Sequence, residues 1–92
     1  MPRPKACKRI RFDPRVYYFK PQGIPLRELK EVFLHAEEVE ALRLKNVEGL
    51  NQVECAEKMG VSQSTFQRIL SSAHKKTSKA LIEGKAIRIK EE

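Results

Sequence analysis

The chain has 92 residues, 40% of them hydrophobic and 34% charged, with a formal net charge of +7. That is one domain's worth of sequence, and a chain of this size buries only about 60–65% of its unfolded surface, so the core is small and a partner subunit would add to it. It contains no apolar run long enough to span a bilayer and no secretory signal, which makes a cytoplasmic protein the expectation.

Charge is unevenly placed. Residues 1–30 carry net +7, residues 31–60 net −4, residues 61–92 net +4, and no acidic residue lies between Gly60 and Ile82. Two basic blocks around an acidic middle favour a polyanionic partner over a merely solvated surface. The two cysteines, Cys7 and Cys55, form no CxxC and join no His cluster, so neither a zinc site nor a disulfide is expected. Cys55 reads as a small packing residue.

The chain opens with a basic, proline-containing arm, MPRPKACKRIR. Such an arm can follow a phosphate backbone, with Arg9 and Arg11 as contacts; the plain alternative is a floppy terminus. Ile10 and Phe12 alternate with arginines and suggest a short strand, Asp13-Pro14 a turn, and Val16–Phe19 a second strand. Tyr17 and Tyr18 are better read as one packing and one surface residue than as base-stacking groups. A helical turn at 26–30, started by Pro25, should precede an extended piece through Val32–Leu34.

Ala36 to Val47 reads as a supporting helix. Val39, Leu42 and Asn46 share a stripe that Ala41, Leu44 and Val47 widen, and Glu37, Glu38 and Glu40 sit at the positive end of the helix dipole. Glu38 and Glu48 lie near enough to Arg43 for solvated contacts, and His35 reads as a capping or surface residue. Gly49 ends the helix.

Asn51 to Lys76 carries the most specific signal. Asn51 and Glu54 form a capping box, Leu50 and Cys55 a staple, and Gly60 supplies a positive φ for the exit. Ser62 caps a second helix whose apolar residues Phe66, Ile69, Leu70 and Ala73 make one face. Ser64, Arg68, Ser71 and Lys75, flanked by Gln67 and Ser72, make the opposite face, which has no carboxylate. Two helices joined by a tight turn, the second with a hydrogen-bonding outer face, are the layout of a helix-turn-helix. The helix should continue to Glu83-Gly84, about 20 residues or roughly 30 Å, with Thr77, Ala80 and Leu81 extending its apolar stripe. Ala86–Lys90 alternates apolar and basic and reads as a strand, pairing with Ile10–Phe12 or with its counterpart in a second copy.

With these residues in view, the stretch resembles the helix-turn-helix of region 4 of bacterial sigma factors: Cys55, Ala56, Met59, Gly60, Val61, Phe66 and Ile69 meet that motif's requirements for small, glycine and apolar positions. PRPKACKRI, YFKPQGIPLREL, EALRLKNVEGL and GVSQSTFQRIL more widely resemble a family of small prokaryotic proteins, uncharacterised and predicted to bind DNA. The resemblance implies a mainly α fold, a three-helix helix-turn-helix core (35–83) between an arm with short strands (1–34) and a C-terminal strand and tail (84–92). It implies base reading by Gln63, Ser64, Gln67 and Arg68 on helix 63–76. Ser62, Thr65, Ser71, Lys75, Lys76, Arg9 and Arg11 would hold the DNA backbone. Without a region-2-like part the chain cannot be a complete sigma factor.

The expected function is therefore sequence-specific binding of double-stranded DNA, as a nucleoid-associated transcription regulator. A homodimer and an RNA polymerase contact are the further expected partners. The second reading is a region-4-like interaction module that binds polymerase or another regulator. RNA binding fits the charge but has no recognisable module behind it. No paired catalytic carboxylates, nucleophile set, phosphate loop or metal cluster is visible, so no enzyme, cofactor, metal or small-molecule ligand is expected.

Overall fold

The computed structural model describes residues 17–90. The expected strand at Ile10–Phe12 and the expected phosphate contacts Arg9 and Arg11 lie outside the described residues. The protein is mainly helical, with a small three-stranded sheet.

Strand β1 is short, Tyr18–Phe19. A turn at Gln22-Gly23 follows, and then a single 3-10 turn at Leu26–Glu28. Pro25, at φ −62° and ψ 145°, starts that turn, and Glu28 N–H closes on the Pro25 carbonyl at 3.0 Å. Strand β2, Glu31–His35, then runs straight into helix α1, Ala36–Leu42. The helical turn and extended piece expected at 26–34 are thus both present.

The helix expected over 36–47 changes pitch partway. After Leu42 it continues as a π-helical segment, Arg43–Val47, with Glu48 N–H bonded to the Arg43 carbonyl at 2.8 Å. The wider winding moves the expected apolar stripe out of register. Ala41 and Leu44 are buried, but Val47 is 78% exposed. Gly49, at φ 76°, turns the chain into helix α2, Gln52–Met59. Helix α3, Gln63–Glu83, has 21 residues.

Ala41 and Leu44 meet Cys55, Ala56, Met59, Phe66, Ile69 and Leu70 in one core, with Leu42, Leu50 and Val61 packed at its margin. Phe66 is completely buried. Full burial of such a side chain contributes about 1.5–3 kcal/mol, so this cluster is the main source of cohesion. Past it, Ala73 and Ala80 carry α3 onto the sheet, where Val32 and Leu34 are buried. The stripe expected to include Leu81 stops at Ala80: Leu81 is 75% and Ile82 85% exposed.

Strand β3, Ala86–Lys90, is the middle strand of the order β1-β3-β2. It pairs antiparallel with β1, Tyr18 opposite Arg88, and parallel with β2 from Glu31–Ala86 to His35–Lys90. This corrects both expected pairings: β3 lies between β1 and β2, and neither Ile10–Phe12 nor the β3 of a second copy is its neighbour. A parallel pair needs a long crossover, here supplied by the whole helical part of the chain. Among the described residues, no helix is long and apolar enough to cross a membrane.

Candidate nucleic-acid interface

The α2–α3 connection is fixed by local hydrogen bonds. Asn51 accepts from Glu54 N–H at 2.9 Å through Oδ1, and Glu54 Oε1 accepts from Asn51 N–H at 3.2 Å, completing the capping box. Gly60 is left-handed at φ 69°, ψ 34°. Its N–H bonds to the Glu57 carbonyl at 3.1 Å, and Val61 N–H bonds to the Ala56 carbonyl at 3.0 Å. This bond pair is the Schellman arrangement, which satisfies the last free carbonyls of α2. Ser62 Oγ then accepts from Thr65 N–H at 3.1 Å and caps α3.

These caps present one face of α3 to solvent. Ser62, Gln63, Ser64, Gln67, Arg68, Ser71 and Lys75 are exposed and Thr65 is half-buried, while Phe66, Ile69 and Leu70 point the other way into the core. The four expected base-reading residues therefore share one exposed surface. Arg68 Nη2 donates to Thr65 Oγ1 at 3.4 Å, a light tether on an exposed side chain. Gln67 Oε1 accepts from Gln52 Nε2 across the two helices.

Lys76 is differently placed. Its ammonium lies 3.0 Å from Glu38, and the lysine is half-buried. Glu38 is 4% exposed and accepts from Ser72 Oγ at 2.5 Å and from His35 N–H at 2.8 Å. Burial pushes its carboxyl pKa up, but the bonds from Ser72, His35 N–H and Lys76 outweigh that and hold it below the ordinary carboxylate value. Glu38 was expected in a solvated contact with Arg43. Instead it is buried and ties the start of α1 to the middle of α3. Arg43 makes its bonds to Glu40, at 3.0 and 2.9 Å, and to Glu48, at 3.0 Å. Glu40 itself is buried. A second tie joins His74 Nε2 to Asn46 Oδ1 at 2.9 Å.

The sheet's outer face has its own constellation. Tyr18 O–H donates to Glu31 at 2.7 Å, and Arg88 makes two bonds to the same carboxylate, at 3.2 and 3.0 Å. The Arg88 guanidinium also stacks 4.5 Å from the Tyr18 ring centre, and Lys90 sits 4.9 Å from that of Phe33. The Glu31 hydrogen bond raises the Tyr18 pKa, and those from Arg88 and Tyr18 lower that of Glu31. Among the described residues no group of three His, Cys, Asp or Glu could hold a metal ion. Cys55 is buried, its thiol 3.7 Å from the Leu50 carbonyl, and burial raises its pKa.

These features define a mainly helical protein with an exposed, carboxylate-free helix face and a small sheet. The model of a family described as protein of unknown function DUF134 matches residues 1–92, and the chain belongs to that family. The UPF0251 protein of Moorella thermoacetica is 60% identical over 89 residues, covering 97% of this chain and 60% of that protein. Its counterpart in Halothermothrix orenii is 58% identical over 88 residues, covering 96% and 65%. That of Thermoanaerobacter pseudethanolicus is 55% identical over 89 residues, covering 97% and 75%. The chain thus spans about three-fifths of the length of the first of these relatives. No solved structure matches it.

Proposed function

We propose that α2, the Gly60–Ser62 turn and α3 act as a sigma region-4-like helix-turn-helix that reads double-stranded DNA in the major groove. One observation carries this reading: the exposed row Gln63, Ser64, Gln67 and Arg68 is free of carboxylates and backed by fully buried Phe66. Amides and guanidinium groups on a rigid helix suit base edges, Gln67 to adenine N6/N7 and Arg68 to guanine O6/N7, at about 1–3 kcal/mol of discrimination per good pair. Ser62, Thr65, Ser71 and Lys75, with Arg9 and Arg11, would hold phosphates. Lys76 contributes less, since Glu38 already holds its ammonium. The protein would act as a regulator at the nucleoid.

A second reading, an interaction module for polymerase or another regulator, draws on the exposed Leu81 and Ile82 at the far end of α3. Selection of bound duplexes from a random DNA library, at low and moderate salt, separates the two. The expected outcome is an enriched motif that Arg68→Ala loses. Salt-sensitive binding without a motif reduces the protein to non-specific backbone binding. Absence of duplex binding favours the interaction module.

A further inference from the structure

In a parallel ladder, alternate residues turn N–H and C=O toward the neighbouring strand and away from it. Ala86 N–H donates to the Lys30 carbonyl at 2.9 Å, which fixes the phase. Val32 and Leu34 face β3 with their backbone groups, and Glu31 and Phe33 turn theirs outward. Among the described residues no strand lies beyond β2. The edge also lacks the usual protections: its five residues, EVFLH, include no proline or lysine, and the register with β3 is unbroken. The carboxylate of Glu31 is matched by Arg88 at 3.0 Å. Phe33 is 39% exposed.

We infer that β2 is a dimerisation edge, and that its occupant is the β2 strand of a second copy, antiparallel about a two-fold axis at Val32. In this register Glu31 lies opposite the second copy's Phe33 and Val32 opposite its own counterpart. All four outward groups, the N–H and C=O of Glu31 and of Phe33, then find partners in each copy. His35 N–H, held by Glu38 at 2.8 Å, ends the ladder one step further on. The side chains agree with this register. The two Val32 meet as a closely spaced pair on the inner, apolar face, and Glu31 comes beside the Phe33 ring whose face carries Lys90. The contact is isologous and closed, and gives one continuous six-stranded sheet.

The inference does not depend on DNA binding and is tested without DNA. Sedimentation equilibrium over a wide range of protein concentration should show a monomer–dimer equilibrium. Phe33→Pro removes two of the interchain bonds while sparing the ladder to β3, and should weaken the dimer between about tenfold and a hundredfold. Far-UV circular dichroism checks that this variant folds. Val32→Cys, combined with Cys7→Ser, places the two thiols on strands whose Cα atoms lie about 4.5 Å apart in a non-hydrogen-bonded pair, within disulfide range. It should give a covalent dimer on mild oxidation even if Phe33→Pro fails to fold. A wild type that stays monomeric at every concentration overturns the inference and moves the search for an occupant to residues 1–16 of the same chain. A dimer that cross-links through Leu81→Cys and not through Val32→Cys overturns it in favour of the end of α3.

Discussion

The two halves of α3 are continuous in sequence and helix geometry, yet they are held differently. From Phe66 to Ala73 four side chains are buried against α1 and α2, and the polar row on the outer face has a buried apolar core behind it. From His74 to Glu83 only Ala80 is buried, and orientation comes from polar ties, Lys76 to Glu38 and His74 to Asn46, next to the bond that Ser72 at the end of the first half makes to the same Glu38. The first half is positioned by volume, the second by directional bonds. Close packing fixes the outer row of the first half more tightly than polar ties alone fix the second.

The sharpest break of this contrast is Phe66→Ala. It should cost about 3–5 kcal/mol, enough to unfold much of the population of so small a domain in a denaturant titration. Glu38→Ala attacks the polar half. It leaves the Lys76 ammonium and the Ser72 hydroxyl without their acceptor and should cost about 1–3 kcal/mol by chemical denaturation. Because the Glu38 pKa is lowered in the folded state, its contribution is fully present above the unfolded carboxyl value of about 4.3. It fades as pH falls through the lower folded value, so the wild-type stability profile should decline over that acid range and Glu38→Gln should flatten the decline.

Ser62→Ala removes the cap on the packed half and should cost about 1 kcal/mol by the same titration. The smallest effect belongs to the unpacked tip: Leu81→Ser, at a 75% exposed position, should stay within about 0.5 kcal/mol of wild type. A loss near that of Phe66→Ala at Leu81 would abolish the contrast.

What the sequence made legible follows the range of the interactions. Asn51, Gly60, Ser62 and Gly84 act on neighbours a few residues away, and all four sit at the helix ends their chemistry suggests. The alternation of Ala86–Lys90 revealed a strand but not its neighbours. Its partner Val32-Phe33-Leu34 is a continuous apolar run without period, and the pairing joins segments on opposite sides of the helical core. Glu38 was misjudged because an acid in the first turn of a helix looks like a dipole contact. Only Ser72 and Lys76, far along the chain, make it a buried anchor. The π-helical pitch of Arg43–Val47 had no visible signal, and with it went the placement of Val47. Periodicity placed Ser64, Gln67, Arg68, Ser71 and Lys75 on the exposed face of α3, whereas Gln63 came from the resemblance and Ser72, expected beside that face, is half-buried and bonded to Glu38. The engagement of Lys76 and the bond between Gln52 and Gln67 required the packed helices.

The central position of β3 bears on how the chain is made. Protein synthesis runs from the N-terminus, so β1 and β2 leave the ribosome well before the strand that separates them. Among the described strands neither has a sheet partner until Ala86–Lys90 follows, so a chain ending at Gly84 cannot close the sheet. Throughout that interval β2 has neither described strand beside it, and the end of α3 lacks β3 to pack on.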